Sequence, residues 1–202
     1  MKGLYLVTPD WDDTERLVDV SEQAIRGGAS LLQYRHKTAS EPLRQEQAVA
    51  LLKLCRRLNV PLIINDHVDL CEAIDADGIH VGGTDASVAS MRSRLGESKI
   101  VGASCYGDLQ LSRDAQASGA SYVAFGGFYP SRVKKYAVTT SPDIIATALT
   151  ELSVPICVIG GMTPENSQVL IDRGAHMVAA ISSVYSAEDP HAAASKFAHK
   201  FR

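Results

Sequence analysis

Gly28-Ala29-Ser30-Leu31-Leu32-Gln33-Tyr34-Arg35-His36-Lys37 runs from a helix-ending glycine through an apolar strand to a cationic strand end. Glycine adopts the left-handed conformation that stops a helix, and the apolar run after it is extended. The same junction recurs as Gly119-Ala120-Ser121 and Gly174-Ala175-His176. Candidate strands begin near Gly3, Ala29, Pro61, Gly78, Ile100, Tyr122, Pro155 and Met177. They are spaced by about 25 residues with an amphipathic segment between each pair, the pattern of βα units on a parallel sheet.

The second helix is the clearest of the connecting segments. Leu43, Gln47, Ala50, Leu51, Leu54 and Leu58 follow helical spacing, while Arg44, Glu46, Lys53 and Arg57 take other faces. Ser40 is its expected cap, with Pro42 in the first turn. Thr163-Pro164-Glu165 and Ser141-Pro142-Asp143 each place Pro at the first helical position with an acid behind it. No linker or composition shift divides residues 1–202, so one domain is expected. Eight βα units of this size predict an α/β fold, a single-domain (β/α)8 TIM barrel. The rival, an open doubly wound sheet, would use fewer parallel strands and bind at one switch point. Polar residues end almost every strand here, as a ring of ligand-facing loops would require.

Composition narrows the function. The 202 residues are 46% hydrophobic, enough for a full core. A net charge of −3 and a pI near 6.1 leave no basic footprint for nucleic acid or an anionic membrane. No stretch approaches the roughly 18 apolar residues of a membrane span, and the N-terminal run is too short for a signal peptide. Cys55, Cys71, Cys105 and Cys157 lie far apart with no CxxC pair. They read as apolar fillers in a reducing, cytoplasmic setting, with the role of Cys105 beside a strand end left open.

In an extended segment Gln33, Arg35 and Lys37 share one face, and an amide, a guanidinium fork and an ammonium on one wall suit a diphosphate. Strand 3 ends in Asn65-Asp66, and strand 4 runs through Gly82-Gly83 to Asp85. Asp66 and Asp85 would then face each other across neighbouring strand ends, offering hard oxygens to Mg2+. Helix capping is the alternative use of either carboxylate. Gly102 before Ser104 suggests close approach of backbone or substrate at strand 5, with capping as the competing role of the hydroxyl. The longest loop, Gly126 to Thr140, carries Ser131, Arg132, Lys134 and Lys135. Gly160-Gly161 after strand 7 and Ser182-Ser183 after strand 8 fit a backbone phosphate site. His80 lies between apolar residues and reads as a packed core histidine. His36 and His67 lie in site loops without an evident orienting partner, and His176, His191 and His199 read as structural or solvated. Two anion sites on one barrel suit group transfer with diphosphate as leaving group.

With these motifs placed, the chain resembles the thiamine-phosphate synthase family from Tyr5 to about Phe201. The resemblance is carried by Leu32 to Lys37, Ile64-Asn65-Asp66, Ala76 to Gly82 with Asp85, Gly102-Ala103-Ser104, Gly119 to Gly126, Ile159 to Met162 and Ala180-Ile181-Ser182. It implies a (β/α)8 enzyme with two small phosphorylated substrates. These are 4-amino-5-hydroxymethyl-2-methylpyrimidine diphosphate and 4-methyl-5-(2-phosphoethyl)thiazole, and the products are thiamine monophosphate and diphosphate. In that family the C–O bond breaks first, and the thiazole nitrogen captures the pyrimidine-stabilised carbocation.

Carried over by position, Gln33, Tyr34, Arg35, His36, Lys37, Asn65, Ser104 and Lys134 would bind the pyrimidine diphosphate. Among these, Arg35, Lys37, Ser104 and Lys134 are the candidate catalytic residues. Asp66 and Asp85 would hold Mg2+, while Ser131, Arg132, Val133, Gly161, Ile181 and Ser182 would hold the thiazole phosphate. Whether the chain forms a homo-oligomer is left open. Gly83, Tyr106, Val133 and Lys135 depart from the family pattern, which usually has Gln, His, Thr and Pro there. Val133 lacks a hydroxyl whose hydrogen bond would be worth about 1 kcal/mol. Two alternatives follow. A thiazole tautomerase would need an acid/base group near Ser104 and no paired aspartates, and a non-catalytic paralogue would only bind a phosphorylated ligand.

Overall fold

The computed structural model describes residues 1–82, 88–130 and 140–201. Eight parallel strands pair in chain order, and β1 closes on β8 to complete a barrel. The strands are β1 (Gly3–Val7), β2 (Ala29–Tyr34), β3 (Leu62–Asn65), β4 (Gly78–Val81), β5 (Ile100–Tyr106), β6 (Tyr122–Gly126), β7 (Ile156–Ile159) and β8 (Met177–Ala180). Helices α1 (Thr14–Arg26), α2 (Glu41–Leu58), α3 (Val68–Ala73), α4 (Val88–Leu95), α5 (Leu109–Ala117), α6 (Ile144–Glu151) and α7 (Pro164–Asp172) follow the first seven strands. After β8 come a one-turn helix α8 (Ser182–Tyr185) and then α9 (Pro190–Ala198). No helix among the described residues is long and apolar enough to cross a membrane.

The strand starts agree with the sequence reading, with two one-residue differences that share a cause. Pro61 and Pro155 precede their strands because proline has no N–H to donate to a ladder. Their carbonyls still join the sheet, accepting from Leu32 N at 3.1 Å and Val123 N at 3.1 Å. The junction glycines Gly28, Gly119 and Gly174 have φ of 109°, 92° and 100°, the left-handed region expected of them. Ser40 caps α2 through Leu43 N, and Thr163 caps α7 in a reciprocal box with Asn166. Ser141-Pro142-Asp143 does not open α6 as predicted. It forms a turn in which Ile144 N and Ile145 N reach back three residues, and the α-helix starts at Ile144.

Strand alternation splits the core in two. One set of side chains, including Leu32, Tyr34, Ile64, Ile79, Val123 and Val158, packs outward against the helices. The other, including Tyr5, Leu31, Ile63, Tyr122, Cys157 and Met177, fills the barrel. Small and large residues alternate inside, as a tapering interior demands. Gly102 supplies the clearest fit, because a Cβ there would lie 2.1 Å from Cζ of Tyr122. The close approach that Gly102 signalled in the sequence is therefore the Tyr122 ring crossing the barrel, not a substrate. Gly102→Ala should destabilise the fold by about 1–3 kcal/mol through overpacking. Urea unfolding of the two proteins measures this, and equal midpoints would contradict the packing.

Candidate active site

Parity at the barrel's C-terminal rim decides which side chains meet. On β2, Leu31 points inward, so Gln33 does as well, and Gln33 Nε2 donates to Tyr5 Oη inside the barrel at 2.7 Å. Asn65 follows the inward Ile63 on β3, and Ser104 follows Gly102 on β5. Ser104 Oγ lies 2.8 Å from His80 Nε2 and makes no cap. Asp108 caps α5 instead. The rim thus gathers residues from separate strands that the sequence reading had linked only by motif.

The cationic strand end is tied down by the loop after β1. Thr8 Oγ1 accepts from Arg35 N at 2.8 Å and donates to Arg35 O at 2.9 Å. Asp10 Oδ1 accepts from Arg35 Nη1 at 3.3 Å and from Lys37 N at 3.1 Å. The Arg35 side chain is nearly buried, so a carboxylate beside it holds the guanidinium in a fixed pose. Lys37 remains exposed. The sequence analysis missed this loop, although Asp10-Trp11-Asp12-Asp13 follows the first strand and marks the rim as the other strand ends do.

Tyr34 and His36 each have a partner within the protein. Tyr34 alternates with the inward Gln33 on β2. Tyr34 is buried against α2, and its Oη donates to Gln47 Oε1 at 2.9 Å. His36 is buried with Nε2 3.1 Å from Asp12 Oδ1, which is the orienting partner the sequence did not reveal. Both residues also line a recess at the β2 and β3 ends, with the candidate site residues Lys37, Asn65 and Asp66 and with His67. Burial and the nearby Arg44 charge hold the His67 imidazole below its usual pKa, so it is neutral at pH 7.

Asp66 does not cap α3. The cap position is His67, without a side-chain bond. Asp66 is exposed, adopts φ of 62°, and accepts from Asn65 Nδ2 on Oδ2 at 2.7 Å. A non-glycine residue in that region is strained, and such strain gathers at binding sites. Its exposed carboxylate offers hard oxygen to a cation, as Mg2+ needs, with water and substrate completing the shell. Asp85, Ser131, Arg132, Val133 and Lys134 lie outside the described residues, as do Gly83 and Lys135. The visible ends of that loop are pinned together, since Thr140 Oγ1 donates to Gly126 O at 2.5 Å.

At the opposite side of the rim, Gly160 and Gly161 have φ of 113° and 63°. A Cβ on Gly161 would lie 2.3 Å from Pro130 O, so the glycine also admits the loop after β6. Asn166, the third residue of α7, donates from Nδ2 to Gly161 O at 2.9 Å and sets that turn. Ile181 packs on the interior cluster and Ser182 begins α8 directly after β8. Ser183 Oγ is buried and finds no partner among the described residues.

Residues 4–184 match the family described as thiamine monophosphate synthase. The chain belongs to the thiamine monophosphate synthase family. A thiamine-phosphate synthase of Janthinobacterium sp. (strain Marseille) is 64% identical over 201 residues, covering 100% of this chain and 97% of that protein. That of Nitrosospira multiformis is 44% identical, covering 99% and 86%. Among solved structures, a thiamine phosphate pyrophosphorylase from Pyrococcus furiosus superposes with a TM-score of 0.84 at 27% identity, over 98% of this chain and 95% of that one. A 3-hexulose-6-phosphate synthase, at 18% identity and a TM-score of 0.74, shares the fold.

The four cysteines form no disulfide. All four are free and buried. Cys105, beside the rim, faces outward into the helix layer, and burial pushes its thiol up to about 12. A thiol titrating that high is protonated at neutral pH and is a poor nucleophile. Ellman's reagent at pH 8 should therefore react with none of the four rapidly in the native protein and with all four in guanidinium.

Proposed function

We propose that the C-terminal rim is where this family member carries out the synthase reaction, with the pyrimidine diphosphate over β2 to β5 and the thiazole phosphate over β7 and β8. The enzyme is a transferase, joining 4-amino-5-hydroxymethyl-2-methylpyrimidine diphosphate to 4-methyl-5-(2-phosphoethyl)thiazole and releasing diphosphate. The observation that carries the placement is the inward row, in which Gln33, Arg35, Asn65 and Ser104 come from three strands to one opening. Gly161 and Ser182 lie across that opening at the end where a barrel holds phosphate.

The reaction needs no oxidant and no proton transfer to form the new bond. The C–O bond between the pyrimidinylmethyl carbon and the diphosphate breaks, and its electron pair leaves with diphosphate. The thiazole nitrogen then gives its lone pair to the carbon, forming the C–N bond of the product. Arg35 and Lys37 stabilise the charge gathering on the leaving oxygens, and Gln33 and Asn65 orient the substrate. Asp66, with Asp85, would hold Mg2+, which when bound neutralises diphosphate charge. Gly161 and the α8 N–H groups fix the thiazole phosphate through backbone, so the loss of a hydroxyl at Val133 is tolerated. The tautomerase alternative asks for an acid/base group near Ser104, and His80 does stand there. Its burial and its hydrogen bonds to Tyr122 and Ser104 support the reading of a fixed structural imidazole instead.

Removing a charge aimed at a developing oxyanion costs about 3 kcal/mol, so Lys37→Ala should lose roughly a hundredfold in kcat with its melting temperature unchanged. Diphosphate release with both substrates measures it, and full activity in the folded variant would remove Lys37 from the reaction. Asp66→Asn should raise the magnesium concentration needed for half-maximal rate at least several-fold and cut turnover. An unchanged magnesium dependence in that variant would dismiss Asp66 as a ligand.

A further inference from the structure

A continuous hydrogen-bonded chain crosses the barrel interior below the rim. Gln33 Nε2 donates to Tyr5 Oη at 2.7 Å, Tyr5 Oη lies 2.7 Å from Tyr122 Oη, and Tyr122 Oη lies 2.8 Å from His80 Nδ1. His80 Nε2 in turn lies 2.8 Å from Ser104 Oγ. The five residues come from β2, β1, β6, β4 and β5. Tyr5, Tyr122, Gln33 and His80 are buried, and burial holds both phenols well above their usual pKa, so they stay neutral. Ring contacts stiffen the chain. The His80 and Tyr122 rings stack with centroids 5.7 Å apart, and Tyr5 meets Tyr122 edge to face at 5.7 Å. The slot left by Gly102 fixes the Tyr122 ring from the other side.

The Gln33 amide donor is consistent with one direction along this chain. Gln33 gives an amide hydrogen to Tyr5 Oη, so the Tyr5 hydroxyl directs its own hydrogen to Tyr122. Tyr122 then directs its hydrogen to His80 Nδ1. An imidazole that accepts at Nδ1 carries its hydrogen at Nε2, and donates it to Ser104 Oγ. That direction leaves the Ser104 hydrogen for a partner outside the chain. Both ends of the chain are residues that the synthase reading assigns to the pyrimidine diphosphate.

We propose that Tyr5, Tyr122 and His80 are positioning residues for the transfer, a polarised relay that starts from the Gln33 amide and presents the Ser104 hydroxyl to the leaving diphosphate as a hydrogen-bond donor. The proposal rests on the function assigned above. It adds that the barrel interior, which touches no substrate, sets which groups at the rim donate. Groups hydrogen-bonded head to tail polarise one another, so the last donor is strengthened as well as aimed.

The test uses the whole enzyme and two readouts. The 15N shifts of the His80 ring tell which nitrogen carries the hydrogen, and wild type should show it on Nε2 alone. Tyr122→Phe keeps the ring in the Gly102 slot and removes the middle hydroxyl. That variant should lose the Nε2 preference and lower kcat roughly tenfold, with KM for the thiazole phosphate unmoved. In a Ser104→Ala background, Tyr122→Phe should cost nothing further, since the relay acts through that hydroxyl. A hydrogen on His80 Nδ1 in wild type would overturn the relay, and this measurement stands even if the variant fails to fold. Kinetic losses that multiply in the double variant would overturn it as well. A wild-type protein that releases no diphosphate would instead remove the assigned reaction, and the nitrogen shifts would still judge the relay.

Discussion

Closure of the parallel ladder, with β1 paired to β8, is the constraint from which the rest of this protein follows. In an open sheet each strand has two solvent or helix faces. In a closed one, every second residue of every strand must enter a single interior of limited volume. Closure also brings all eight strand C-termini to one rim, so residues as distant in sequence as Gln33 and Ser182 can serve the same pair of ligands. Because parallel pairing fixes the register, the inward residue nearest each rim is a candidate site residue by position alone.

The interior is not wholly apolar, and its polar members are the informative ones. A buried hydroxyl or amide without a partner costs about 1–3 kcal/mol, whereas a complete chain of partners removes most of that cost. Tyr5, Tyr122, His80 and Gln33 satisfy one another across four strands, and the chain emerges at Ser104. An all-apolar filling could stabilise a barrel equally well. A polar filling additionally gives the rim a defined hydrogen-bond polarity, which an array of aliphatic side chains cannot transmit.

The rim combines fixed and exposed cations. Arg35 is nearly buried and held by Asp10, while Lys37 is exposed. A fixed fork matches the planar geometry of phosphate oxygens, and a mobile ammonium contributes charge without demanding register. Asp10 also offsets part of the positive charge of this cluster. The strained backbone of Asp66 and the left-handed turn at Gly160-Gly161 sit at opposite sides of this opening. Both are conformations that the surrounding packing must hold, and both place oxygen or N–H groups at the rim.

Much of this was legible in the linear chain because it depends on local periodicity. Glycine junctions, prolines before strands and helical spacing in α2 each reflect a backbone preference that acts over a few residues. They located the eight strands to within one residue of their starts. The face presented by Gln33 and Arg35 followed from the period of two, and the cap choice between Asp66 and α3 remained open until the structure gave the position to His67. What the chain alone did not decide were pairings between distant strands. Tyr34 and His36 were read from one contiguous motif, which did not reveal that Gln47 and Asp12 are their partners. Gly102 signalled close approach without saying of what, and His80 read as core without showing which residues it joins. Tyr122 is 20 residues from Gly102 and 42 from His80, and no local preference links them. Their meeting is a consequence of barrel closure, which is a property of all eight strands together and of none of them separately.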